Sequence, residues 1–265
     1  MKHIFRRFIL SVSFLTILPI HFLFSSEDQK DQHYIKEDLS KSSIFFPLVG
    51  ILIGLILVAV DILLKWLSFD TLLSNGIILT VWVFLSGGLH MEGFADMVDG
   101  FSGGKNQQEI IRIMKDSAIG AKGAIALILL ILLKFLLLNS LPLSIRMEAL
   151  LLAPVMGRWS MVLSGYLGKP ASSDNTLSQM FSLYLGKLEI ILATLFTLVI
   201  AFYLLSYQSL YFMGFSAFIS YLMVYYSVTK MQGICGDVIG AINEITEVGV
   251  LLIFLLYLTL KNNLL

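Results

Sequence analysis

The chain has 265 residues, of which 57% are apolar and only 14% are charged, whereas soluble domains carry about 25% charged residues. A surface this poor in polar groups suits lipid rather than water, so the composition indicates an integral membrane protein. The 18 basic and 18 acidic side chains balance to zero net charge, which gives no support to a nucleic-acid partner, and the single cysteine excludes an intramolecular disulfide and a CxxC metal site.

The N-terminal segment begins with basic residues, among them Arg6 and Arg7, and continues into an apolar stretch at 8–24. This order resembles a secretory signal, but no small-x-small cleavage site follows, so we expect the segment to be retained. Basic residues flank the stretch on both sides, and Pro19 and His21 interrupt it. The pattern favours an interfacial or re-entrant helix over the alternative, an eighth span.

Seven further apolar stretches are long enough, or nearly so, to cross about 30 Å of hydrocarbon. They cover residues 44–66, 71–90, 123–139, 147–166, 188–205, 209–229 and 248–264. Neither an internal repeat nor a domain linker divides them. The predicted fold class is therefore all-α, a polytopic transmembrane helix bundle of about seven spans plus the N-terminal helix, forming a single domain over 1–265.

The segments between the stretches alternate in their content of Lys and Arg. Those at 25–43, 91–122, 167–187 and 230–247 contain basic residues, those at 67–76 and 206–208 contain none, and 140–147 has Arg146 alone. Short basic loops remain in the cytoplasm. We therefore expect a multi-pass protein of the cytoplasmic (inner) membrane, with its long polar loops and its active site facing the cytoplasm.

The longest polar segment, 91–122, lies between two spans. It is expected to continue the preceding helix, turn at the glycines 103–104 and enter a second helix. The residues from Asn106 to Glu109 fit a helix start, and the following apolar positions form a stripe at helical spacing: Ile110, Ile111, Ile113 and Met114.

Three carboxylates follow the second span at helical spacing. If the helix continues, Glu92, Asp96 and Asp99 fall at i, i+4 and i+7 on one face, about 10 Å from end to end. Two such charges 4 Å apart cost about 4 kcal/mol at an effective dielectric constant near 20, so a cation or a proton must offset them. Oxygen ligands alone point to Mg²⁺ or Mn²⁺, and the alternative is a solvated helix end.

A second acidic group lies near the last span. Asp237, Glu244 and Glu247 fall at i, i+7 and i+10 of one helical face, on the predicted cytoplasmic side. The two acidic faces could converge on one or two metal ions. The alternative is an ordinary helix start, where the helix dipole favours acidic residues.

Two other charged residues adjoin or interrupt apolar spans. Asp116 is either a fourth acid of the first cluster or the N-cap of a helix at 117–139. Arg158 lies inside a span, where a charge costs about 2.5–3.5 kcal/mol on insertion scales, so it should face the bundle and pair with an acid or a phosphate.

Three basic or titratable residues near the ends of spans allow two interpretations each. Lys115 and Lys169 fit phosphate oxygens, but they also fit anionic lipid headgroups. His90 fits either a helix-end hydrogen bond or a role in catalysis.

With these residues in place, the chain resembles the cobalamin synthase family, the adenosylcobinamide-GDP ribazoletransferases, nearly from end to end. The resemblance is sharpest at Gly87-Gly88-Leu89-His90-Met91-Glu92-Gly93-Phe94-Ala95-Asp96 with Asp99-Gly100, and it continues at Ile113-Met114-Lys115-Asp116-Ser117, Gly120, Arg158, Gly236-Asp237, Gly240-Ala241, Glu244 and Glu247. The chain has Glu92 where the family usually has Asp, Ala118 where an Arg is common, and Cys235 where a Thr is usual.

The resemblance implies a magnesium-dependent enzyme that joins α-ribazole, or its 5′-phosphate, to adenosylcobinamide-GDP and releases GMP. It implies metal binding and catalysis by Glu92, Asp96, Asp99 and Asp116, and substrate binding by His90, Lys115, Ser117, Arg158, Asp237, Glu244 and Glu247. The partners expected are these substrates and membrane lipid, with formation of a homo-oligomer left open.

Two other functions are considered. A cation-coupled transporter would place its acids near the middle of the bilayer, whereas the acids here lie at the ends of spans and in the longest loop. A membrane phosphotransferase of the CDP-alcohol type shares the D-x-x-D-G element, but the expected Ala-Arg after Asp99-Gly100 and the second pair of aspartates are absent.

Overall fold

The structure, a computed structural model, describes residues 2–20, 32–171 and 184–263. Within these ranges the chain forms eleven α-helices. They are α1 (Lys2–Leu15), α2 (Gln32–Ser42), α3 (Phe46–Trp66), α4 (Thr71–Leu85), α5 (Leu89–Gly103), α6 (Gln107–Met114), α7 (Ala121–Ser140), α8 (Leu143–Leu167), α9 (Lys187–Leu205), α10 (Ser209–Met231) and α11 (Gly236–Asn263). The prediction of an all-α membrane bundle is confirmed.

The described residues include five helical stretches that are long and apolar enough to cross a membrane, or six if α4 and α5 form one bent span. One of the five, Lys187–Met231, has 45 residues and joins α9 to α10. A continuous helix of that length would measure about 67 Å, over twice the hydrocarbon thickness. A 3-10 turn at Ser206–Gln208 instead divides it into two helices. Five of the seven predicted spans coincide with a helix, but 71–90 runs past the end of α4 at Leu85, and the last apolar helix begins at Gly236, earlier than the predicted 248. The number of crossings stays a prediction.

Helix α8 occupies the centre of the bundle, where it contacts α3, α9, α10 and α11. Its closest approach is to α3. A Cβ placed on Gly50 would lie 2.6 Å from the Cα of Val155, and one on Gly54 would lie 2.8 Å from the Cα of Leu151. Glycines four residues apart therefore let the two backbones touch, as in many membrane helix pairs.

The N-terminal helices pack beside this core. α1 buries Ile9, Val12 and Leu15, and Arg7 Nε donates to Asp38 Oδ1 of α2 at 3.1 Å. At 14 residues, α1 is about 21 Å long, which is short of the hydrocarbon thickness and favours the predicted interfacial or re-entrant helix over an eighth span. The end of the predicted stretch, at 21–24, lies outside the described residues.

Candidate active site

A sharp bend between α4 and α5 sets the direction of the acidic helix. The two helices meet at 84°, and both Gly87 (φ 62°) and Gly88 (φ 73°) adopt the left-handed backbone region that favours glycine. The carbonyl oxygen of Leu85 accepts a hydrogen bond from Ile17 N at 3.0 Å, so the segment after α1 supports the bend. The prediction that the span continues straight into the acidic segment is therefore wrong.

Four carboxylates lie along α5 and at the start of α11. Glu92, Asp96 and Asp99 keep the predicted spacing along this one helix, with Glu92 exposed and the two aspartates half-buried. Asp237, in the first turn of α11, lies beside them, because a Cβ on Gly93 would be 2.8 Å from its Cα. The negative charges of Asp237, Glu92 and Asp99 are all close enough to repel a negative charge on Asp96. Two segments far apart in the sequence thus form one acidic cluster.

Asp99 has a structural partner that the sequence did not reveal. Its Oδ2 accepts from Gly120 N and its Oδ1 from Gly123 N, both at 2.8 Å. The N-cap residue of α7 is Gly120, which has no side chain to cap with, so Asp99 caps α7 from a neighbouring helix. A Cβ on Gly123 would lie 2.2 Å from Asp99 Oδ2, so the close approach requires glycine.

Asp116, Lys115 and Ser117 lie together in the exposed turn between α6 and α7. One interpretation of the sequence made Asp116 the N-cap of α7. That interpretation is wrong, because this helix begins at Ala121. Its Oδ1 accepts from Ala118 N at 3.1 Å within the turn itself. The preceding helix starts where the sequence predicted. Helix α6 begins after Asn106, whose side chain accepts a hydrogen bond from Glu109 N.

The rest of the second acidic group is buried inside the bundle. Because α11 already begins at Gly236, Glu244 lies about 10 Å further along its axis than Asp237. Glu244 and Glu247 are 2% and 0% exposed and pair with Lys134 of α7. Of the second acidic group, the structure therefore brings Asp237 alone to the first cluster.

Arg158 faces the bundle and pairs with an acid, as predicted. It is fully buried on α8, and its Nη1 donates to Glu247 Oε1. Its Nε and Nη2, like His90 Nε2, have no hydrogen-bond partner among the described residues. His90 itself is buried in the first turn of α5, where its backbone lies against Gly240 of α11.

The single cysteine lies beside the acidic cluster, one residue before α11 begins. Cys235 Sγ donates to Asp237 Oδ2 at 3.6 Å and also contacts Met114 Sδ at 3.7 Å. Burial, together with the charge of Asp237, raises the pKa of the Cys235 thiol to about 12. The sulfur is therefore a protonated donor that supports Asp237, and not a reactive thiolate.

The cluster has the donor chemistry of a Mg²⁺ site. Within the described part of the chain, no three His, Cys, Asp or Glu side chains are already arranged to hold a metal ion. Mg²⁺, however, usually takes only one or two protein carboxylates and completes its shell with water and substrate phosphates. The carboxylates of Glu92, Asp96, Asp99 and Asp237 are ligands of the type that Mg²⁺ takes, and one or two of them would be enough to hold it.

Comparison with known proteins gives one consistent answer. A family model described as Cobalamin-5-phosphate synthase matches residues 7–255. Similar curated proteins carry the name adenosylcobinamide-GDP ribazoletransferase. One from Clostridium botulinum (strain Langeland / NCTC 10281 / Type F) is 36% identical over 97% of this chain and 100% of its own length.

Relatives in other organisms agree. The protein of Desulforamulus reducens is 34% identical over 93% of this chain and 95% of its own length. That of Thermoanaerobacter sp. (strain X514) is 30% identical over 94% of this chain and 96% of its own length. Both carry the same name. No solved structure matches the chain.

Proposed function

Because the chain belongs to the cobalamin-5-phosphate synthase family, we propose that it transfers α-ribazole, or its 5′-phosphate, to adenosylcobinamide-GDP. The products are adenosylcobalamin, or its 5′-phosphate, and GMP. The observation that carries this proposal is the family match over nearly the whole chain. The acidic cluster supports it, because cleavage of a diphosphate requires positive charge at the leaving group, and carboxylates can hold a divalent cation that would supply it.

The proposed cofactor is Mg²⁺, held by members of the acidic cluster. Asp96 and Asp99 are the proposed ligands, and Glu92 and Asp116 are proposed as ligand or base. We add Asp237 as a further proposed ligand because it lies beside α5. When bound, a divalent ion would offset the charge that develops on the leaving GMP. Since Asp99 also caps α7, its two roles would join metal binding to the position of that helix.

The residues of the cluster would orient and activate the attacking hydroxyl. In the proposed reaction the ribose 3′-hydroxyl attacks the phosphorus nearer to the cobinamide. A carboxylate of the cluster would accept the hydroxyl proton, which requires it to lie within hydrogen-bond reach of that oxygen. Glu92 is exposed and Asp96 is half-exposed, so both are open to a substrate that arrives from water.

The residues proposed to contact substrate include two exposed residues and four buried ones. Lys115 and Ser117 are exposed in the turn before α7, which Asp99 ties to the acidic cluster, and they suit phosphate oxygens. His90, Arg158, Glu244 and Glu247 are buried, and the last three already have partners inside the bundle. A direct contact of these four with substrate would require the bundle to open.

The proposed setting is the cytoplasmic (inner) membrane, with the acidic cluster toward the cytoplasm. Basic residues at Arg112, Lys115 and Lys122 flank the cluster on the segments after α5. Short basic segments favour the cytoplasmic side.

The test is GMP release in proteoliposomes that contain the purified protein, with adenosylcobinamide-GDP, α-ribazole and Mg²⁺ supplied. Release should require both substrates and the metal, and Asp96→Asn should reduce it by about 10²-fold or more. The control is Glu148→Gln on α8, which lies at the opposite end of the bundle because α8 begins where α7 ends. GMP release by Asp96→Asn equal to that of Glu148→Gln would refute the role of the cluster.

A further inference from the structure

Lys134 is a buried cation in an otherwise apolar part of α7. Its side chain is 1% exposed, and its Nζ donates to Glu244 Oε2 at 2.9 Å and to Glu247 Oε2. The same nitrogen lies 4.3 Å from the ring centroid of Trp82 on α4, which is a cation–π contact. A charge in a membrane span is unfavourable unless it is paired in this way.

Both glutamates belong to α11, so these two ion pairs connect α11 to α7. Arg158 of α8 holds Glu247 from another side, and Asn243 Nδ2 donates to Glu244 Oε1 at 3.2 Å. The two basic and two acidic side chains balance in charge. We call Lys134, Arg158, Glu244 and Glu247 the buried charge network.

The first turn of α11 carries Asp237 into the acidic cluster. Helix α11 meets α5 at two glycine positions, Gly93 against Asp237 and Gly240 against His90. These contacts are backbone contacts, and they set how close the two helices lie. The buried charge network joins α11 to α7 and α8 about two to three turns further along.

We propose that Lys134 is a positioning residue, which holds α11 through Glu244 and Glu247 so that the Asp237 carboxylate lies beside those of α5. This inference rests on the proposed function in so far as Asp237 belongs to the site. It assigns Glu244 and Glu247 to the placement of Asp237 and removes the need for them to touch substrate.

The opposite end of the bundle offers a matched control. There Arg146 Nε donates to Asp61 Oδ1 at 2.8 Å, its Nη1 donates to Leu138 O at 3.0 Å, and its Nη2 donates to Asn75 Oδ1. This second network is also buried, but it joins α3, α4, α7 and α8 and includes no residue of α5 or α11. Its loss should weaken the fold without moving Asp237.

The experiment compares two charge-balanced double variants of the full chain, Lys134→Met with Glu244→Gln and Arg146→Met with Asp61→Asn. Each removes one buried cation and one buried anion, so that no buried charge is left unpaired; Lys65, which also pairs with Asp61, has a half-exposed side chain. Thermal unfolding in detergent measures the general loss of stability. The rate at which N-ethylmaleimide alkylates Cys235 reports the position of the start of α11 without reference to activity, because this is the only cysteine in the chain.

The Lys134 pair should raise the alkylation rate of Cys235 and the Mg²⁺ concentration for half-maximal GMP release, each by roughly tenfold. The Arg146 pair should unfold at a temperature similar to that of the Lys134 pair, but its alkylation rate and its Mg²⁺ requirement should stay near the wild-type values. Wild-type values for the Lys134 pair, or equal changes in the two pairs, would overturn the inference. A wild-type protein that needs no Mg²⁺ would instead refute the metal proposal, and the alkylation rates would still decide whether Lys134 holds α11.

Discussion

Gly93 is one of the two glycines at which α5 and α11 touch, and a methyl group there tests whether the acidic cluster depends on that contact. A Cβ on Gly93 would lie 2.8 Å from the Cα and 3.0 Å from the carbonyl oxygen of Asp237. Both are backbone atoms, which cannot rotate away. To reach ordinary contact at 3.4–4 Å, the helices would have to separate by about 0.6–1.2 Å. Displacements of about 1 Å at an active site cost up to about 10²-fold in rate.

The matched control is Gly214→Ala on α10, since a Cβ on Gly214 meets nothing within 4 Å. Both substitutions gain up to about 1 kcal/mol of helix propensity. Gly93→Ala adds an overpacking cost of about 1–3 kcal/mol. We expect Gly214→Ala to unfold at or above the wild-type temperature with normal activity, and Gly93→Ala to unfold lower and to release GMP about 10²-fold more slowly. Equal stability and equal activity of the two variants would refute the packing of α5 on α11.

Three further predictions concern single features. In Asp99→Asn, the new amide side chain would still accept one hydrogen bond from the start of α7 but would be a weaker metal ligand. The variant should therefore lose less than about 2 kcal/mol of stability and most of the GMP release. Normal GMP release would show that Asp99 only caps the helix. Arg158→Leu should destabilise the protein by about 3–5 kcal/mol, because Glu247 loses a buried partner; if the double variant with Glu247→Gln restores both stability and KM, Arg158 does not bind substrate. With seven crossings and a cytoplasmic N-terminus, a C-terminal tag should be accessible only from outside the cytoplasm, and cytoplasmic labelling would change the number of crossings by one.

Periodicity predicted the parts of the site that depend on local geometry. The spacing of Glu92, Asp96 and Asp99 places them along one helix wherever that helix points, and the start of α6 after Asn106 followed from an ordinary capping pattern. The bend before α5 was missed because a Gly-Gly pair is compatible with a helix. The structure shows the turn in the positive φ angles of Gly87 and Gly88, and Ile17 packs against Leu85 and Gly87 at that point.

Long-range partners were beyond the reach of the sequence. Asp99 caps a helix that begins more than 20 positions later, and Lys134 pairs with glutamates 110 and 113 positions away. One signal for Lys134 was present, because it is the only charged residue in the predicted span 123–139. An ionisable residue in a membrane span marks a position that needs a partner, and the two glutamates of the last helix are that partner.

The most direct test is a density map of the protein in lipid nanodiscs with Mn²⁺ in place of Mg²⁺ and with adenosylcobinamide-GDP bound. We expect an ion between the diphosphate and the carboxylates of α5, with Asp237 of α11 on the same side of the ion. An ion and a diphosphate bound elsewhere, with the carboxylates of the two helices apart, would contradict the proposed site.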